Sequence, residues 1–188
     1  MSKQHPENDN KVKLEKLRYP IGKFQFGLIY SEDEINKFIE QIDKFPAKLK
    51  KLVTGMKKEQ LETPYRENGW TIRQVIHHVA DSHMNAYIRF RWALTENNPT
   101  IKPYYENFWA ELEDAKHAPI SISLALLTNL HKRWVMLLKS MTSSDFHKSL
   151  FHPDLQHYFK LTEMTAHYAW HGEHHYQHIQ QLMKIKKW

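Results

Sequence analysis

The chain has 188 residues, no cysteine, 41% hydrophobic residues and a formal net charge of +6 at pH 7. That length supports one domain with its own core, and the lack of cysteine excludes disulfides, thiolate metal ligands and a cysteine nucleophile, in keeping with a reducing, cytoplasmic location. The positive charge is dispersed in small clusters such as Lys48, Lys50 and Lys51 or Lys184, Lys186 and Lys187, with no nucleic-acid recognition motif, so it reads as solvated lysine faces or as an attraction for anionic small substrates.

Residues 1–17 are polar and charged, and the expectation for them is a mobile tail, with the domain proper spanning 18–188. The start lacks the apolar core of a signal peptide, and no uninterrupted apolar stretch is long enough for a bilayer, so no membrane association is expected. Ser31 to Glu34 forms a capping-box pattern ahead of Ile35, Phe38, Ile39, Ile42, Phe45, Leu49 and Leu52, whose spacing predicts a first helix with a kink near Pro46. Thr71 and Gln74 form a second capping box, predicting a helix from Ile72 to about Leu94. Asn97, Asn98, Pro99 and Pro103 interrupt the pattern, and a third helix is predicted from about Ser121 to Met141. Thr142 to about Lys160 reads as irregular, and the last helix runs from Leu161 to about Ile185. No strand alternation competes with these segments, so the expected fold is all-α, a four-helix bundle. The second connection is long enough to cross the bundle and allow the second and third helices to lie parallel.

In the last helix His171 and His175 stand four residues apart in WHGEHHYQHI, which places both imidazoles on one face, one turn apart. That face also carries Met164, Tyr168, Ile179 and Leu182, so two polar rings occupy core positions. Burying them costs free energy unless each finds a partner; a divalent metal would satisfy both, whereas hydrogen bonds to neighbours would satisfy a pair of ordinary core histidines. His167, His174 and His178 fall towards one edge of the stripe, and Glu173 points away from it. The glutamate of HGEHH fits neither HExxH nor HxxEH, so a metalloprotease mechanism is not implied. The second helix carries His77, His78 and His83 as sources of a third ligand. Periodicity favours His83, which lies among the core positions, while His78 shares a polar edge with Ser82, Asn85 and Arg89; the helical wheel leaves the two open.

Taken together, RYPIGKF, TPYRENGWTIRQVIHHVADSHMNAYIRF, LLTNLHKRW, FHPD and WHGEHHYQHI resemble, in order and spacing, the YfiT-like metal-dependent hydrolases of the DinB superfamily, over nearly the whole chain after the tail. The resemblance implies up-down-down-up connectivity with a long crossover between the second and third helices. It also implies a metal site of His78, His171 and His175, one divalent metal per chain, and a homodimer. Imidazole ligands suit zinc first, with nickel also compatible. Three neutral ligands leave a coordination position open, which points to hydrolysis of a small-molecule substrate by a metal-activated water. Relatives in the superfamily also imply an alternative, an S-transferase using a low-molecular-weight thiol such as bacillithiol, for which Arg73, Arg89 or Arg91 would hold carboxylates. A fourth protein ligand would instead favour a non-enzymatic metal-binding stress-response module. Candidates for a general base are Asp81 and His83, near His78 in sequence, and Asp154, in a loop that could cover the site; the two aspartates serve equally well as caps or surface pairs. Trp70, Trp92, Tyr104, Tyr105, Phe108 and Trp109 read as packing residues or as walls of a cleft or dimer interface.

Overall fold

The computed structural model of the protein describes residue 12 and residues 14–188. Most of the expected N-terminal tail therefore lies outside the described residues; its end does not, and residues 14–18 are helical. The elements that follow are α1 (Glu32–Val53), α2 (Lys58–Leu61), α3 (Ile72–Thr95), α4 (Glu106–Trp109), α5 (Glu113–His117), α6 (Ile120–Ser140), α7 (Ser143–Phe146), β1 (Ser149–His152), β2 (His157–Lys160) and α8 (Leu161–Lys186).

The two capping boxes form as the sequence predicts. Ser31 Oγ accepts from the Glu34 N–H while the Glu34 carboxylate accepts from the Ser31 N–H at 2.8 Å, and Thr71 and Gln74 do the same at the start of α3. Pro46 stays inside α1, buried with Phe45 and Leu49.

The long helices α1, α3, α6 and α8 form the bundle. Each of α1 and α3 packs on both α6 and α8, which makes α1 and α3 diagonal partners. Two apolar clusters fix the directions. One joins Ile35 and Ile39 of α1, Phe90 and Ala93 of α3, Trp134 and Leu138 of α6, and Leu161 and Met164 of α8. The other joins Leu49 and Val53, Ile72 and Val75, Leu127, and Ile179 and Leu182. The starts of α1 and α8 thus meet the ends of α3 and α6, giving up-down-down-up connectivity, with residues 96–119 crossing the bundle between the parallel helices α3 and α6.

The structure departs from the sequence reading between Thr142 and Lys160, where β1 and β2 pair as an antiparallel hairpin, Ser149 opposite Lys160 and His152 opposite His157. The crossover joins this hairpin: the Phe151 N–H donates to the Pro99 carbonyl at 2.9 Å, and the Ile101 N–H to the Phe151 carbonyl at 3.0 Å. Residues 18–27 form a second feature without a periodic signature, a strap laid along α8. A turn closes it at Tyr19–Gly22, with Gly22 at φ 79°. The strap then places Phe24 against His167 and Trp170, and the Gly27 N–H on the Glu163 carboxylate. It therefore runs antiparallel to α8, from near the end of that helix to its start.

Candidate metal centre

Because α3 and α8 run antiparallel, His78, two turns into α3, reaches the level of His171 and His175 on α8. All three are buried, and one ring nitrogen from each lies within 4.8 Å of the others. The ring centroids stand 4.6 Å apart for His171 and His175, 4.8 Å for His78 and His175, and 5.4 Å for His78 and His171. Burial is the main cause that lowers the pKa of each ring; His78 falls to about 4, and His171 and His175 fall well below the ordinary histidine value, so all three are neutral at pH 7. Buried, neutral imidazoles brought together without a carboxylate are a donor set that fits a divalent first-row metal. The neighbours of the His78 ring in this region are other rings, namely Trp70, His171 and His175.

The three histidines line a cavity of about 310 Å³. Its walls include Trp70, which follows Gly69 just ahead of the α3 cap, and Trp170 on α8. Its lining also includes Arg18 and Glu106, which keep solvent-exposed surface, and the half-buried Arg66. Desolvation of the carboxyl by the surrounding protein raises the Glu106 pKa, although the residue keeps solvent-exposed surface. His174 also lines the cavity, and its Nδ1 is buried without a hydrogen-bond partner.

His178 lines the cavity as well, whereas the candidate bases and arginines singled out from sequence fall elsewhere. His83 is buried behind the cluster, its Nδ1 2.8 Å from His131 Nε2 and its Nε2 3.2 Å from His171 Nδ1, so neither nitrogen is free to act as a base on a substrate. Asp81 lies outside the cavity lining; burial, then the nearby Asp114 of α5, raises its pKa to about 6. Asp154 is exposed in the β1–β2 turn. Arg73 is held by Glu62 and by the Ala118 carbonyl, Arg89 donates to the Tyr168 hydroxyl, and Arg91 donates to the Tyr87 hydroxyl. None of those three arginines lines the cavity, and of the six aromatic residues weighed from sequence only Trp70 does. Arg18 and Arg66 lie within the RYPIGKF and TPYRENGW segments that carry the resemblance, yet nothing in those segments or in any periodicity assigns them to the site, and Glu106 belongs to no such segment; all three come from the strap and from connections whose course only the fold defines.

A helical bundle with an inward-facing three-histidine cluster beside a cavity has the arrangement by which helical bundles build metal sites from side chains on facing helices. The chain belongs to the DinB superfamily, whose pattern matches residues 41–179. It is 51% identical over 172 residues to a protein of Bacillus cereus (strain AH820) named "Putative metal-dependent hydrolase", a match that covers 92% of this chain and 98% of that one. A Bacillus anthracis protein of the same description matches to the same extent. The solved structure of YfiT from Bacillus subtilis, described as a probable metal-dependent hydrolase with an unusual four-helix bundle topology, superposes with a TM-score of 0.90 at 46% identity, covering 92% of this chain and 99% of that one.

Proposed function

We propose that the protein is a metal-dependent hydrolase of small molecules, with one divalent metal per chain held by His78, His171 and His175, zinc in the first place and nickel as the alternative. The observation that carries this reading is the convergence of three buried, neutral ring nitrogens beside a cavity, together with the names of relatives at 51% identity. The clustered donor group among the described residues contains three side chains, which supports a catalytic site over a closed structural one. When bound, such a metal supplies Lewis acidity and lowers the pKa of a water it holds, so that the water can attack an ester, amide or related bond.

The chain's own groups have distinct tasks. Trp70 and Trp170 give the cavity apolar walls beside the histidines, a lining of lower dielectric that would strengthen electrostatic interactions there. Glu106, with its raised pKa, is the carboxyl that lines the cavity and takes the role of accepting and returning a proton in this reading, whereas Asp81 and Asp154 lie outside the lining. Arg18 and Arg66 favour an anionic substrate, and the same pair would serve the carboxylates of a thiol cosubstrate in a transfer reaction. A homodimer and a cytoplasmic location complete the proposal.

Elemental analysis of untagged protein, beside His78→Ala, His171→Ala and His175→Ala, tests the reading. About one metal per chain in the parent, lost from each variant while the helical circular dichroism persists, is the expected result. Absence of metal after reconstitution would overturn it. Turnover of anionic esters that rises only when a low-molecular-weight thiol is added would move the assignment to S-transfer.

A further inference from the structure

Two files of hydrogen-bonded rings lead away from the histidine cluster, and each ends on a backbone carbonyl. In the first, His131 Nδ1 lies 2.7 Å from the Ile42 carbonyl, His131 Nε2 lies 2.8 Å from His83 Nδ1, and His83 Nε2 lies 3.2 Å from His171 Nδ1. In the second, His178 Nε2 lies 3.1 Å from the Arg18 carbonyl, and His178 Nδ1 lies 3.3 Å from His175 Nδ1. A carbonyl oxygen only accepts, so the nitrogen facing it must carry the proton, and a neutral imidazole then has its other nitrogen bare. Applied ring by ring, the rule gives one order of protons. His131 donates from Nδ1 to Ile42 and accepts at Nε2 from the His83 Nδ1–H; His83 accepts at Nε2 from the His171 Nδ1–H. His178 donates from Nε2 to Arg18 and accepts at Nδ1 from the His175 Nδ1–H.

Both files therefore end on a ligand histidine with a bare Nε2. We propose that His83, His131 and His178 are positioning residues that fix the tautomers of His171 and His175, leaving Nε2 of each as the lone pair available to a metal; the metal itself rests on the function proposed above. Reversing the first file would set a bare Nδ1 of His131 against the Ile42 oxygen at 2.7 Å, two lone pairs facing each other in a buried site. The rings around His83, those of Phe45, Trp134 and Tyr168, hold it edge-on or tilted. Such outer partners orient a ligand ring and raise its basicity.

The test uses the full, metal-free chain labelled with nitrogen-15 in histidine. Long-range proton–nitrogen correlation spectra should show Nδ1–H tautomers for His131, His83, His171 and His175 and an Nε2–H tautomer for His178. An Nε2–H on His171 or His175 would overturn the proposal. His131→Phe fills the aromatic slot without either hydrogen bond, whereas His131→Gln retains a donor for Ile42 and an acceptor for His83. Zinc affinity, read by competition with a chelating dye, should fall ten- to a hundredfold in His131→Phe, with mixing of the His171 tautomers, and recover in His131→Gln. Unchanged affinity and an unchanged His171 spectrum in His131→Phe would overturn the relay while leaving the metal site intact. The expected tautomers in a parent chain that binds no zinc would uphold the proton order and overturn the metal reading instead.

Discussion

His83 and His78 show what a helical wheel resolves and what it does not. His83 faces the core, as its angle on the wheel indicates, yet it stands behind His171, while His78, at the polar edge, reaches the cavity. Angle gives the face of a residue but not its level along the bundle relative to another helix, and that level depends on the direction of α8. The histidine pair itself was legible because two polar rings interrupt an apolar stripe at a spacing of four. Burial of so many imidazoles also sets a pH dependence. His131 is almost fully buried, and burial holds its pKa at about 4 against a reference value of 6.5. The native state therefore binds fewer protons than the unfolded state between those values, so this ring's contribution is complete above pH 6.5 and is lost as pH falls towards 4. In metal-free protein unfolded by urea, the parent should lose about 2 kcal/mol more than His131→Gln between pH 7 and pH 5. An equal loss in both would remove His131 from the acid response.

At the scale of the element, the four long helices were legible because apolar spacing repeats over many turns, and capping boxes mark the starts of two of them, α1 and α3. Thr71 begins the helix that carries His78, and Thr71→Ala should cost about 1 kcal/mol in chemical denaturation, with little change in the helical signal of the folded protein. Gly172 marks the close approach of α8 to α1: a Cβ there would meet three atoms of the Phe45 ring at 3.0 to 3.2 Å. Gly172→Val should destabilise by about 2 to 3 kcal/mol in the same assay, through overpacking beside the histidine pair. The hairpin was not legible, since strands of four residues, SLFH and HYFK, are too short to establish a period of two against the surrounding irregular sequence. The strap was missed for a related reason. Its partners, from Glu163 to His178, lie far along the chain, and nothing in residues 18–27 announces them.

At the scale of the whole molecule, the parallel placement of α3 and α6 obliges the chain to cross the bundle over residues 96–119, and that crossing brings Glu106 to the cavity beside the histidines. The same connectivity leaves α8 with one flank that no other long helix covers, and the strap lies along it through aromatic contacts and the bonds of Arg18 and Gly27 to His178 and Glu163. Edges secured by so few bonds open locally at a fraction of the free energy that separates core helices. Native-state hydrogen exchange should therefore find the Gly27 amide exchanging through local opening, orders of magnitude faster than the amide of Val79 at the centre of α3; equal rates would mean that strap and bundle open as one unit. Unzipping residues 18–27 would expose the His178 end of the ring file and the side of the cavity lined by Arg18 and Tyr19 while the bundle stays folded, giving the interior a service entrance latched by that strap.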